Sequence, residues 1–78
     1  MDFTINNNII TAYGTINDGD GMLFSNQFNQ VANSHKTIIV KLHTYGGSVF
    51  DGNLIYNTLI NSTADIEIHI VGIAASMG

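Results

Sequence analysis

The chain opens with two short runs of β-branched and aromatic residues, DFTI and IITAY, on either side of Asn6-Asn7-Asn8. Runs of this composition are typical of strands, and asparagine tolerates the left-handed backbone conformation that a tight connection needs. We therefore predict a β-hairpin. The dense glycine, aspartate and asparagine residues between Gly14 and Gly21 predict a loop after it.

The spacing of apolar residues then changes to that of a helix and back to that of a strand. Residues 21–33 predict an amphipathic helix, because apolar side chains recur three and four positions apart. These side chains are Phe24, Phe28, Val31 and Ala32. The following run TIIVKLH, Thr37–His43, is β-branched and too short for a helix. It predicts a largely buried strand.

A second helix and a further strand follow. Ser48 is a favourable N-cap, and Asp51, three residues later, suits the positive start of a helix that we predict to end near Asn61. The buried side of this helix is predicted to comprise Leu54, Ile55, Leu59 and Ile60. In the run ADIEIHIVGI, isoleucines alternate with Glu67 and His69, as in a strand with one buried face.

The order of these elements indicates an α/β fold. Strands alternating with helices form βαβ units, which have parallel strands and right-handed crossover connections. We therefore predict a parallel sheet in which Thr37–His43 and Ile66–Ile73 are neighbours, joined by a crossover helix over Ser48–Asn61. A chain of 78 residues is expected to form one domain at most.

Composition narrows the range of functions. The chain has two lysines, no arginine and a net charge of −4, which argues against a nucleic-acid partner. It has no cysteine for a disulfide or a thiolate zinc site, and no proline; we expect no metal and no cofactor. No apolar run approaches the ~20 residues that span a bilayer, and the first residues lack the basic segment of a signal peptide. We expect a cytoplasmic protein with no membrane partner.

Two loops are predicted to meet at the carboxyl edge of the sheet. TYGGSV follows the first parallel strand and IAASMG the second, and a helix that starts there offers amides without intrahelical partners. Gly46-Gly47 permits positive φ and close approach of a substrate backbone, and small neighbours leave room around the hydroxyl of Ser76. Such an arrangement suits acyl transfer, in which a hydroxyl attacks a carbonyl and two N–H groups stabilise the oxyanion. The amides of Gly47 and Met77 could supply those donors.

The segments TYGGSVFDGNLIYNTL and ADIEIHIVGIAASMG, in this order, resemble the Clp protease family, the proteolytic subunits with a Clp/crotonase-type fold built from ββα repeats. The resemblance consists of a Gly-Gly loop, a helix with Gly-x-x-Ile-Tyr, and a strand ending in Gly-x-Ala-Ala-Ser-Met. It covers residues 37–78 well and residues 1–36 loosely. YGTI and GGSVFDG look most like the branch of phage and prophage head-maturation proteases.

By this resemblance, residues 1–78 are the N-terminal part of a single truncated Clp protease-like domain that ends just after the nucleophile of a serine endopeptidase. Ser76 is the implied nucleophile, the amides of Gly47 and Met77 form the oxyanion hole, and Gly46 and Ser48 belong to the substrate loop. The implied partners are a polypeptide substrate and further copies of the chain in a homo-oligomer. For the complete subunit, an ATP-dependent unfoldase or phage capsid proteins are also implied.

Two departures from the family pattern change what is expected. Thr44-Tyr45 stands where the family usually has Ser-Pro before the glycine pair, which loosens the preorganisation of the loop. The general-base histidine and its aspartate follow the serine in the family, whereas His35, His43 and His69 all precede Ser76. Of these, His43 alone is predicted near the site, and the other two are predicted to be solvated. Residues 1–78 by themselves are therefore expected to have little or no peptidase activity.

Other interpretations stay open. Taken alone, the glycine pair is an ordinary strand-to-helix turn, and Ala-Ala-Ser an ordinary small-residue helix contact. A crotonase-type acyl-thioester enzyme would share the fold, but such enzymes commonly use carboxylates near the site, and the only glutamate, Glu67, lies mid-strand. A third interpretation is a non-catalytic fragment that self-associates through exposed apolar surface and an unpaired sheet edge. Asp18 and Asp20 are predicted to lie in a solvated turn rather than in a calcium loop.

Overall fold

The computed structural model describes residues 1–70, which form a mixed four-stranded sheet and two helices. The elements, in chain order, are β1 (Asp2–Asn6), β2 (Ile9–Tyr13), α1 (Asp20–Ala32), β3 (Thr37–His43), α2 (Val49–Ile60) and β4 (Asp65–Ile70). The α/β class predicted from the sequence is confirmed. Neither helix is long and apolar enough to cross a membrane.

The strands lie in the sheet in the order β1-β2-β3-β4. β1 pairs with β2 in the antiparallel sense, whereas β2, β3 and β4 are mutually parallel. The predicted parallel pairing of β3 with β4 is thus confirmed, with Thr37 opposite Asp65 and Val40 opposite Ile68. The sheet as a whole is mixed rather than parallel, because the predicted hairpin adds one antiparallel strand. Residues 71–73 of the predicted last strand lie outside the described residues.

The hairpin turn depends on its asparagines. Asn7 has a φ of 55°, in the left-handed region that asparagine tolerates better than most residues. The side-chain amide of Asn8 donates a hydrogen bond of 3.0 Å to the carbonyl oxygen of Thr37. The backbone carbonyl oxygen of Asn8 accepts one of 2.9 Å from the N–H of Ile39. The turn is therefore fastened to the start of β3.

The core lies between one face of the sheet and the helices. Alternate residues of β2 and β3 are buried, as period-2 strands require. Phe24 of α1 lies between Phe3 and Phe28, with ring centroids 6.0 Å apart in both pairs; its ring is stacked on Phe28 and tilted against Phe3. The buried cluster comprises Ile10, Ile16, Phe24, Phe28, Val31, Ile38, Val40 and Ile55.

The buried side of α2 is narrower than the sequence predicts. Ile55 is buried and Leu54 and Leu59 are half-buried, but Ile60 is 56% exposed, so its predicted burial is wrong. Ile60 follows Ile55 by five residues, which rotates it by about 140° around the helix. It therefore lies on the outer face with Tyr56, which is 61% exposed.

The acidic loop before α1 also differs from expectation. Asp18 is exposed, but Asp20 is only 6% exposed, so the predicted solvated turn is wrong for that residue. The Asp20 carboxylate accepts hydrogen bonds from the N–H of Asn17, at 2.6 Å, and from the amino group of Met1, at 3.0 Å. Buried carboxylates need such donors, and here one comes from the backbone of the loop and the other from the amino group of Met1.

Candidate active site at the carboxyl edge of the sheet

The loops that follow the parallel strands meet at one edge of the sheet. Because β2, β3 and β4 are parallel, their carboxyl ends lie together, which is where ligands bind in open α/β sheets. Residues 14–19 leave β2 and residues 44–48 leave β3. Of the predicted site residues, Gly46, Gly47 and Ser48 are in the second loop, whereas Ser76 and Met77 lie outside the described residues.

A one-residue parallel bridge joins these two loops. The N–H of Ile16 donates to the carbonyl oxygen of Gly46 at 2.9 Å, and the N–H of Ser48 donates to the carbonyl oxygen of Ile16 at 2.8 Å. In such a bridge the residue between the two bonds turns its own N–H and C=O to the other side. The N–H of Gly47 therefore faces away from Ile16, and within residues 1–70 it donates no hydrogen bond.

Only glycine fits at position 47. Its φ is 140°, in the positive region that L-residues with a side chain rarely adopt. A Cβ there would also collide with the carbonyl oxygen of Ile16. The absence of a side chain is thus what allows the two loops to pair, and Gly47 itself is exposed.

Thr44 closes the turn from beneath. Its side chain is fully buried, and its hydroxyl oxygen accepts a hydrogen bond of 3.1 Å from the N–H of Gly46, a local turn that Ser and Thr commonly form. The sequence predicted a looser loop because Thr44-Tyr45 replaces Ser-Pro. The hydroxyl of Thr44 supplies a constraint that this comparison missed.

Ser48 is the N-cap of α2, as predicted, and its Oγ accepts a hydrogen bond of 3.2 Å from the N–H of Asp51. The same hydroxyl donates to Oδ2 of Asp51 at 2.7 Å. In a usual capping box the acidic side chain reaches back to the N-cap backbone N–H. Here that N–H is already bonded to Ile16, and the Asp51 carboxylate turns to the other loop instead. Its Oδ1 accepts from the amides of Gly19 and Gly21 at 3.0 and 2.9 Å.

The sequence profile of the Clp protease family matches residues 1–78. The chain belongs to the Clp protease family. No curated protein matches it. Membership makes the chain part of a family of peptidases, and the mixed sheet with its paired edge loops is compatible with the fold of that family.

The histidines of this Clp protease chain are placed differently from one another. His43 ends β3 and is exposed, with its ring centroid 6.3 Å from that of Tyr45. His35 is half-buried before β3, where its Nδ1 lies 3.1 Å from the carbonyl oxygen of Val31, so its predicted solvated position is only partly correct. His69 is exposed, 3.2 Å from Glu67. The end of β3 thus places His43 at the edge that carries the glycine loop, as predicted.

Replacing Thr44 with valine is expected to lower the free energy of unfolding by about 1–3 kcal/mol, the cost of leaving a buried donor without its acceptor. Valine keeps the shape of the side chain but removes the oxygen that accepts from the buried Gly46 amide. Denaturant unfolding measures the change. Thr44→Ser, which keeps the hydroxyl, is the control, and a valine variant as stable as wild type would contradict the role of this hydroxyl.

The hydrogen bond from Ser48, and next those from Gly21 and Gly19, hold the pKa of Asp51 below its ordinary value, against the opposing effect of burial. A lowered pKa in the folded state stabilises the fold above the unfolded-state pKa of about 4, and this contribution is lost as pH falls through the folded-state value. We expect acid titration of the unfolding free energy to be shallower in Asp51→Asn than in wild type. The exposed Asp65→Asn is the control; equal slopes in both variants would refute the assignment.

Proposed function

We propose that the protein is a serine endopeptidase of the Clp protease type, with Ser76 as the nucleophile and the amides of Gly47 and Met77 as the oxyanion hole. The observation that carries this proposal is the N–H of Gly47. It belongs to an exposed residue, donates no hydrogen bond among residues 1–70, and is held at the sheet edge by the pairing of Gly46 and Ser48 with Ile16. A preorganised donor of this kind is what a developing oxyanion requires.

The proposed reaction proceeds through an acyl-enzyme. The Ser76 oxygen attacks the peptide carbonyl as its proton passes to a histidine, and the negative charge on the carbonyl oxygen is stabilised by the two amides. The histidine then protonates the leaving amine, and the C–N bond breaks. Water, deprotonated by the same histidine, then attacks the acyl carbonyl. The bond to the Ser76 oxygen breaks, the acyl group leaves as a carboxylic acid, and the histidine returns its proton to Ser76.

The base in this proposal is a histidine that follows Ser76 in the complete enzyme, oriented by an aspartate, as in the family. Of the described histidines, His35 and His69 have other neighbours: the Nδ1 of His35 lies 3.1 Å from the carbonyl oxygen of Val31, and His69 lies 3.2 Å from Glu67. His43 ends β3 at the same edge as the glycine loop, but it precedes Ser76, unlike the base of the family. Residues 1–78 by themselves would then retain only what binding and the oxyanion hole provide. Robust Ser76-dependent cleavage by these residues alone would contradict this part of the proposal.

The setting of the enzyme is also proposed. The sequences YGTI and GGSVFDG support the head-maturation branch, acting in the cytoplasm on phage capsid proteins; an ATP-dependent unfoldase is the partner in the alternative, housekeeping setting.

We also propose a homo-oligomer. Large apolar side chains exposed on α2 support it, since Phe50 and Tyr56 are 73% and 61% exposed. A monomer by light scattering at high protein concentration would oppose it.

Reaction with a fluorophosphonate probe tests the nucleophile. In the active enzyme we expect one adduct, located by mass spectrometry on the peptide that contains Ser76, and no adduct in Ser76→Ala. Ser34→Ala, which removes an exposed hydroxyl from the end of α1, should react like wild type. An adduct on another residue, or hydrolysis of acyl-thioesters in preference to peptides, would instead favour a different catalytic group or the crotonase-type alternative.

A further inference from the structure

The carboxylate of Asp51 is hydrogen-bonded to residues on both sides of the Ile16–Gly47 bridge. It is 3% exposed and accepts three hydrogen bonds, one from the Ser48 hydroxyl and two from the amides of Gly19 and Gly21. A buried carboxylate is costly to desolvate unless its oxygens are satisfied in this way. Its presence between two loops therefore calls for an explanation beyond capping α2.

One oxygen of Asp51 fixes the glycine loop. Oδ2 accepts from the hydroxyl of Ser48, the residue directly after Gly47. The backbone N–H of the same serine is bonded to the carbonyl oxygen of Ile16. Ser48 is thus held through its side chain and its backbone. The peptide plane that carries the Gly47 N–H is held by the adjacent bond of the same bridge, from the N–H of Ile16 to the carbonyl oxygen of Gly46.

The other oxygen fixes the opposing loop. Oδ1 accepts from Gly19, the last residue of the loop that carries Ile16, and from Gly21, in the first turn of α1. At Gly21 a Cβ would lie 2.8 Å from Cβ of Leu54 and 2.9 Å from the carbonyl oxygen of Asp51. The start of α1 is therefore pressed directly against α2. The two sides of the Ile16–Gly47 bridge are fastened to a single side chain.

We propose that Asp51 is a positioning residue for peptide hydrolysis, which orients the N–H of Gly47 as an oxyanion donor. It does so by fixing Ser48 and the segment of residues 16–21 relative to each other. This inference rests on the proposed function above. Asparagine cannot replace the carboxylate, because its NH₂ group cannot accept from the Ser48 hydroxyl while its single oxygen serves the two amides.

Steady-state kinetics of the active enzyme tests the proposal. Asp51→Asn is expected to lower kcat by on the order of 100-fold, the effect of a small misplacement of a catalytic group, with KM nearly unchanged, because the donor acts in the transition state. Ser48→Ala should lower kcat in the same way, and Ser48→Thr should restore it. Asp18→Asn, which removes an exposed carboxylate from the loop before α1, should keep wild-type kcat.

A spectroscopic measurement on residues 1–78 makes the test independent of activity. In Ser48→Ala and in Asp51→Asn, the amide signal of Gly47 should shift in a ¹⁵N-resolved spectrum and exchange faster with solvent, whereas Asp18→Asn should leave it unchanged. If Asp51→Asn does not fold, Ser48→Ala decides: a wild-type kcat together with an unmoved Gly47 amide overturns the inference. Failure of the proposed function looks different, since Ser76→Ala would then keep full turnover whatever Asp51 does.

Discussion

Replacing Ser76 with alanine is expected to lower kcat for peptide hydrolysis in the active enzyme by on the order of 10⁶, the loss that removal of a serine nucleophile produces in other serine peptidases. The hydroxyl oxygen is the atom that forms the bond to the substrate carbonyl in the proposed mechanism. What remains is catalysis by the oxyanion donors and by substrate binding. Because alanine removes one oxygen atom, substrate affinity should change little.

A fluorogenic peptide assay measures this loss, and circular dichroism shows whether the variant is folded. Ser34→Ala is the matched control and should cleave at the wild-type rate, because Ser34 is exposed and distant in sequence from both loops. A folded Ser76→Ala enzyme with substantial turnover would remove Ser76 from the mechanism and would leave Gly47 without the reaction that we assign to it.

Replacing Gly47 with alanine is expected to abolish activity and to lower the free energy of unfolding by about 3 kcal/mol or more. Two costs add together. A φ of 140° strains a residue with a side chain by about 1–3 kcal/mol, and the new Cβ would collide with the carbonyl oxygen of Ile16. Relief of the collision requires the bridge between Ile16 and Gly47 to open, which displaces the proposed oxyanion donor. Denaturant unfolding and the peptide assay measure the two effects.

Gly19→Ala separates backbone strain from collision. Gly19 has a φ of 92°, also positive, but a Cβ there would meet nothing within 4 Å. It should therefore cost only about 1 kcal/mol. If the variants at positions 19 and 47 lost the same small amount of stability, the close pairing of Gly47 with Ile16 would be wrong.

The elements with strong local signals could be predicted from the sequence. β3 occupies Thr37–His43 as predicted, because an uninterrupted β-branched run of that length fits little else. The start of α2 was also predictable, since Ser48 and Asp51 form a capping pair that is encoded within four residues. The antiparallel and parallel pairings followed from the hairpin and from the alternation of strands with helices.

The failures concern contacts between segments distant in sequence. The burial of Ile60 was mispredicted. Apolar periodicity shows that a helix is amphipathic, but it does not show which edge of the apolar face packs against another element. Asp20 was predicted to be solvated because carboxylates are exposed by default. Its burial depends on the amino group of Met1, a distant donor, as well as on the neighbouring N–H of Asn17. The burial of Asp51 depends on the amides of Gly19 and Gly21, about thirty residues earlier. No local pattern encodes these meetings.

The candidate site was predictable in part. Gly46 and Gly47 have the positive φ values that the sequence led us to expect, and they lie at the carboxyl edge of a parallel strand pair. The bridge to Ile16 and the hydroxyl of Thr44 were missed. From the sequence, Ile16 had no assigned role within its polar loop, and Thr44 was only a departure from the family pattern. The placement of Ser76 and Met77 beside Gly47 stays a prediction.

The order of strands in the sheet has a consequence for how the molecule is made. Because spatial order follows chain order, each new strand adds to an edge that already exists, and none has to be inserted between two others. Each pairing is therefore made between strands that are neighbours in the chain, and this order suits a chain that emerges from the ribosome with its N-terminus first. Ile16, Gly47 and Asp51 all precede Ser76. The bridge that holds the Gly47 amide is therefore built from chain that leaves the ribosome before Ser76 does.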